Sequence, residues 1–286
     1  MTTLNGPHTG HDILLLAERL RVEERLLMAA FSSAGHSARI VTPAEMSLTI
    51  GRQALAGQSV VSRLPASREG TTLALLLDDG GATVINDPSL AALLEDRARL
   101  LHWLSVNGFE TLPATVGFSE ALVLEAADAV GYPAVLSALD AGQPSITVQD
   151  REVAEAVIEH RAVLGKERAL IVRRAVTVAT LRRIVVVGDT TFAAHAAGDW
   201  PIADGTAWQP DAVTTDDLRL ADDLRSKLGV GLYHADCVVG TPPTVLKVRP
   251  LTAFRTFHGA GHDVAGAIVQ HILTVGLEVA RVAHVS

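Results

Sequence analysis

Hydrophobic residues fall into short unbroken runs, separated by stretches where they recur at three- and four-residue steps. Residues 12–17 (Asp-Ile-Leu-Leu-Leu-Ala) form the first run and read as a buried strand. Over 23–35, Leu26, Leu27, Ala30 and Phe31 mark one face of a helix that Gly35 stops. Strands follow at 39–42 and around Val60-Val61, then a helix begun at Ser67 and a strand over 82–86. The run 73–77 before Asp-Asp-Gly-Gly also fits a strand entering a hairpin turn. The helix is preferred because it leaves 82–86 as the next parallel strand. Strand, helix and strand at this spacing make a parallel crossover, so residues 12–87 read as a small Rossmann-like domain behind a flexible tail, 1–11.

Asn86-Asp87-Pro88-Ser89 is a turn and cap that divides this domain from the next. A helix over 90–107 carries Leu93, Leu94, Leu100, Leu101 and Leu104. Ser119 caps a helix over 120–130, Gly131 stops it, Pro133 prevents its restart, and Ala134 to Leu136 run on as a buried strand. Beyond a polar loop at 140–145 come a strand at 146–148, a helix at 151–164, and strands at 169–172 and 183–187. The second of these has a hairpin partner at 192–196. Residues 199–211 read as irregular, 216–228 as a helix, 232–238 and 244–248 as strands, and 264–281 as a closing helix. Runs of strands and helices in this order give an α/β protein of three lobes, with 88–175 a central α+β lobe and 176–286 a C-terminal one. No internal repeat is visible.

Composition narrows the partners. A net charge of −8 argues against nucleic acid, which needs a basic face. The apolar runs fall well short of the roughly 20 residues of a membrane span. The polar, uncharged first ten residues do not read as a secretory signal. A single cysteine, Cys237, cannot form an internal disulfide and fits a reducing compartment. The expectation is a cytoplasmic protein.

Several blocks, taken together, resemble the lysine-biosynthesis (LysX) branch of the ATP-grasp ligases and the related RimK-type ribosomal-protein glutamate ligases. They are 20–27 (Leu-Arg-Val-Glu-Glu-Arg-Leu-Leu), Val84-Ile85-Asn86, Gly131-Tyr132-Pro133, 155–160 with 163–165, 183–188, Ala235-Asp236 and 261–266. The resemblance runs from about residue 12 to about residue 275. It implies the ATP-grasp architecture and an ATP- and magnesium-dependent reaction. In it a carboxylate is phosphorylated and an amine attacks the acyl phosphate, joining an amino acid of the α-aminoadipate or glutamate type to a carrier protein or peptide. It also implies oligomers, with a paralogous ligase or a carrier protein as partner.

Carried over residue by residue, the resemblance implies a changed site. The first nucleotide-binding cation falls in Asp96-Arg97, where arginine replaces lysine. The second falls on Ser137, which has no charge. The glycine-rich phosphate flap is reduced to Asp140-Ala141-Gly142-Gln143-Pro144, too poor in glycine to present a row of free amides. The hinge, where the family has a glutamate, offers Arg173 and Arg174. These are adjacent on a strand, so only one can face the cleft. Arg183 falls on a catalytic arginine, Trp200 on a family tryptophan, and Asp236 on a magnesium ligand. The strand that should read Asn-Glu-Val-Asn reads Leu246-Lys247-Val248-Arg249. Magnesium needs hard oxygen ligands, so its binding is not expected there.

Three uses of these residues follow. Lys247 can pair with Asp236 and fill a vacated metal site. Alternatively Lys247, Arg249 and Arg183 can form a metal-free anion pocket, or Lys247 and Arg249 can be a solvated strand face. The functional expectation is an inactive or impaired binding or companion subunit. The alternative is a working ligase in which Arg97, Arg183 and Asp236 suffice. His258 and His262 have helical metal-ligand spacing, but Gly259-Ala260-Gly261 between them favours a structural role. His234 and Asp236 suggest two members of a triad without a placed nucleophile.

Overall fold

The computed structural model of the chain describes residues 13–51, 57–163, 169–202 and 206–283; the tail over 1–11 lies outside them. Four parallel strands open the fold: β1 (Ile13–Leu16), β2 (Ala38–Val41), β3 (Ser59–Ser62) and β4 (Thr83–Ile85), in the order β2-β1-β3-β4. The crossovers are α1 (Val22–Ser33) and α2 (Arg68–Asp79). Leu27 and Phe31 bury one face of α1, while Ala74 and Leu77 bury one face of α2. Ser67 caps α2, its Oγ accepting from Gly70 N at 3.2 Å.

The expected single helix over 90–107 is two helices, α3 (Pro88–Glu95) and α4 (Arg97–Val106). Asp96 between them has extended backbone, and its carboxylate accepts from Arg99 N at 3.0 Å, so it caps α4 instead of continuing α3. Leu90 and Leu94 on one piece and Leu100 and Leu104 on the other enter the same core. The apolar stripe therefore crosses the break without a change.

A second sheet is antiparallel throughout. It is built from β5 (Ala114–Gly117), β6 (Ala134–Ala138), β7 (Ile146–Val148) and β8 (Leu170–Arg174) in the order β5-β8-β6-β7. Two helices, α5 (Glu120–Val130) and α6 (Arg151–Val163), pack on one side, with Val123, Ala127, Ala154 and Ile158 in the shared core. β5 was not expected from the sequence. Its first two residues are exposed, so no apolar run marks it.

The third sheet follows directly, with β9 (Val176–Val187), β10 (Thr190–Trp200), β11 (Gln209–Asp211), α7 (Thr215–Leu228), β12 (Leu232–Val238) and β13 (Thr244–Pro250), then the short α8 (Arg255–Gly259) and α9 (Val264–Ala283). Its order is β11-β10-β9-β12-β13. The region expected to be irregular over 199–211 includes the end of β10 and all of β11. One face packs on α9 and, through it, on α1; the other packs on α3, α4 and α7. Asn86 and Arg63 are among the side chains that fasten the first lobe to the third. Asn86 donates to Leu232 O at 2.9 Å and accepts from Leu232 N at 2.5 Å. Buried Arg63 donates to the carbonyls of Leu251 and Thr252 and lies over Phe254.

Candidate functional site

Strand alternation places the site's charges. On β12, His234 and Asp236 point to one face; the β9 partner of Asp236 is Arg183, and the β13 partners of His234 and Asp236 are Arg249 and Lys247. A bulge after Asp236 shifts the β13 register and leaves Leu246 over as the extra residue. The result is a polar island on a face that is otherwise apolar, with Leu181, Val185, Val187 and Leu232 in its core.

Asp236 is the anchor of that island. Its side chain is 0% exposed. It accepts from Arg183 Nε at 2.7 Å and Arg183 Nη2 at 2.9 Å, and Lys247 Nζ lies 3.1 Å from its Oδ2. Arg183 in turn stacks on Trp208, 4.2 Å from guanidinium carbon to ring centre. Burial alone would push the Asp236 carboxyl up, but Lys247 and Arg183 outweigh it and hold it well below the usual carboxylate range. Lys247 is nevertheless lowered, because burial and the charges of Arg183 and Arg249 outweigh its carboxylate. One acid is shared among too many bases. Burial and Arg183 likewise lower the neighbouring His234, whose Nδ1 is buried without a hydrogen-bond partner. Cys237 points to the opposite core, its thiol pushed up to about 12 by burial and Asp236.

In front of this island lies a cavity of about 580 Å³ between the second and third sheets. Arg97, Arg173, Lys247 and Arg249 line it together with Trp200 and Leu246, and no carboxylate does among the described residues. Arg173 is buried, donates to Leu246 O at 2.9 Å and stacks on Trp200 at 4.1 Å. Its neighbour Arg174 is exposed, as strand alternation requires. Burial, with Arg97 nearby, pushes the Arg173 guanidinium down to about 9.

The loop over 138–144 shapes the remaining wall. Arg97 donates to the carbonyls of Ala138 (2.6 Å), Ala141 (3.2 Å) and Gln143 (2.8 Å), and Arg249 to that of Ala141 (2.6 Å). The loop's amides are turned inward: Ala141 N to Glu95 O, Gly142 N to Asp140 Oδ1 and Gln143 N to Asp140 O. Ser137 is fully buried in β6 and is not part of the cavity wall; it meets Ser145, which is, through a 2.8 Å hydroxyl pair. Of the residues singled out in the sequence, Arg97, Arg173, Trp200, Lys247 and Arg249 meet at the cavity. Arg183 and Asp236 lie behind Lys247. Trp208 and Ser145 went unremarked; neither has a local pattern that marks it. His258 lies in α8 and His262 in the loop before α9, and no group of three or more metal-ligating side chains occurs among the described residues.

Residues 13–93 match the LysX preATP-grasp domain. The RimK domain protein ATP-grasp from Sphaerobacter thermophilus DSM 20745 is 36% identical, with 92% of this chain and 99% of that one covered and a TM-score of 0.81. The chain belongs to the ATP-grasp superfamily, in its LysX/RimK-type branch. Two more distant structures share the ATP-grasp fold. D-cycloserine synthetase DcsG is 19% identical (TM-score 0.70), over 93% of this chain and 99% of that one. The ATP-grasp ligase PsnB, complexed with a minimal precursor, Mg and ADP, is 15% identical (TM-score 0.65), over 92% and 98%. The family is one of carboxylate–amine ligases that use ATP and magnesium. No helix among the described residues is long and apolar enough to cross a membrane.

Proposed function

We propose that this ATP-grasp protein has lost or weakened magnesium-dependent carboxylate–amine ligation and acts as a binding or companion subunit in amino-acid-derived biosynthesis. The carrying observation is the occupation of Asp236 by Arg183 and Lys247 at 2.7 Å and 3.1 Å. Magnesium takes oxygen ligands at about 2.0–2.1 Å and favours carboxylates. Here the candidate carboxylate already carries two cations, and β13 presents Lys247 and Arg249 beside it. Bringing a divalent ion to Asp236 would require displacing an ammonium and bearing the repulsion of two guanidinium groups. The residues do not fit the ion, so no ligation step is assigned.

The loop over 138–144 supports the same reading. Phosphoryl transfer depends on amides and cations already aimed at the transferred group. In this chain the loop amides bond within the protein, while its carbonyls face Arg97 and Arg249. ADP release, measured with magnesium, ATP and a panel of amino-acid acids and amines, tests the proposal; none above a protein-free control is expected. Turnover that depends on an amine acceptor would establish the working ligase instead, with Arg97, Arg183 and Asp236 sufficing. As a companion, the chain would pair with an intact paralogous ligase or a carrier protein. Affinity capture from its own host that recovers neither would count against that part.

A further inference from the structure

Arg173 is a buried cation without a counterion. Its side chain is 2% exposed, its Nη1 donates to one carbonyl, its Nε has no hydrogen-bond partner, and no carboxylate pairs with it among the described residues. The charged group that acts on it is Arg97, another cation. Buried charges in folded proteins are normally paired, because an unpaired one gives up its hydration for nothing. On the other side of Arg173 is the cavity, with Arg97, Lys247 and Arg249 in its walls. Lys247 has three donors, and its side chain remains 29% exposed after pairing with Asp236.

We infer that this cavity is a metal-independent receptor for a diphosphate-bearing anion, with Arg173 and Lys247 supplying the charge that magnesium would otherwise bring. This deepens the proposed function and rests on its reading that Asp236 holds no metal. The cavity's volume, about 580 Å³, falls within the ~300–1,000 Å³ typical of small-molecule sites. Several cations around the cavity suit more than a single anionic group, and guanidinium groups match phosphate oxygens. The apolar part of the lining, Leu100, Leu101, Ile202 and Val248, leaves room for an uncharged portion such as a nucleoside. Magnesium and the protein's cations then compete for the same oxygens. Added metal therefore weakens binding, which is the reverse of the dependence expected of a magnesium-requiring ligase.

Calorimetry on the full chain at constant ionic strength tests this with pyrophosphate, ADP and adenosine, first in EDTA and then in excess magnesium. ADP and pyrophosphate should both bind in EDTA and adenosine should not. If ADP binds and pyrophosphate does not, the nucleoside dominates and the diphosphate assignment falls. Magnesium should weaken ADP by about tenfold or more, since it cancels most of the ligand's charge. Arg173→Met should lose about tenfold or more in ADP affinity while its urea midpoint stays level or rises, because an unpaired buried charge has gone. A purely structural arginine would lose stability instead. Lys247→Gln should also bind more weakly. Absence of binding in EDTA at millimolar ligand, or affinity that rises with magnesium, overturns the inference. The turnover assay is separate: magnesium-dependent turnover removes the proposed function and, with it, the metal-independent assignment, whereas the absence of both turnover and binding removes the anion site and keeps the proposed function.

Discussion

Replacing Asp236 by Asn keeps the shape of the side chain and one acceptor oxygen but removes the charge that Arg183 and Lys247 share. At an effective dielectric of about 20, a unit charge attracts a partner 2.7 Å away by roughly 6 kcal/mol and one 3.1 Å away by roughly 5 kcal/mol. Most of that gross attraction is offset by the desolvation of a fully buried carboxylate. What is measured on removing one member of a buried pair is about 3–5 kcal/mol. Asp236→Asn should therefore lower the free energy of unfolding by about 4 kcal/mol near neutral pH. Urea unfolding at constant ionic strength is the assay, with Lys247→Met and the double variant completing a cycle. Once Asp236 is Asn, removing Lys247 also removes a stranded cation. The double variant should accordingly fall short of the summed single costs by about 1–3 kcal/mol. An unfolding free energy within about 0.5 kcal/mol of wild type for Asp236→Asn would refute the reasoning. A gain in stability would do so more strongly, since it would mark Asp236 as a strained carboxylate awaiting a metal.

His234 is held neutral by burial and by Arg183, so its folded pKa lies below its unfolded one. Its contribution is complete above about pH 6.5 and is lost as pH falls. Wild type should lose stability from this group between pH 6.5 and pH 5, by up to about 1.7 kcal/mol; urea midpoints over that range should fall less in His234→Gln, and an unchanged slope contradicts the assignment. Asn86→Ala leaves Leu232 N and O buried without their partner. The loss should be about 2–4 kcal/mol, with hydrogen exchange faster at the start of β12 than in the second sheet; uniform exchange would mean that Asn86 does not fasten the lobes.

The first lobe was legible because each of its elements carries its own signal. The runs of β1 and β4 and the stripes of α1 and α2 are local, and Ser67 and Gly80 mark the ends of α2 in the sequence. The break at Asp96 was not legible, since the leucine stripe spans it and nothing in that stripe shows the Asp96 carboxylate capping a new helix. β5 escaped notice because its outward residues are exposed and its pairing with β8 is long-range. At the site, residue types and family order pointed to Lys247, Arg249 and Asp236, but not to the sharing of one carboxylate by Arg183 and Lys247. That sharing depends on the register of three strands. Ser137 shows the opposite limit: its uncharged hydroxyl could be read from the chain, and its burial behind Ser145 could not. Arg173's missing counterion is visible only in three dimensions.

Manganese is a spectroscopic stand-in for magnesium and reports directly on whether Asp236 holds a metal. Water-proton relaxation or electron paramagnetic resonance of Mn²⁺, titrated with the full chain and no nucleotide, should match Mn²⁺ in protein-free buffer of the same ionic strength, and Asp236→Asn should change nothing. An ion bound by the wild-type chain and lost in Asp236→Asn would contradict the account.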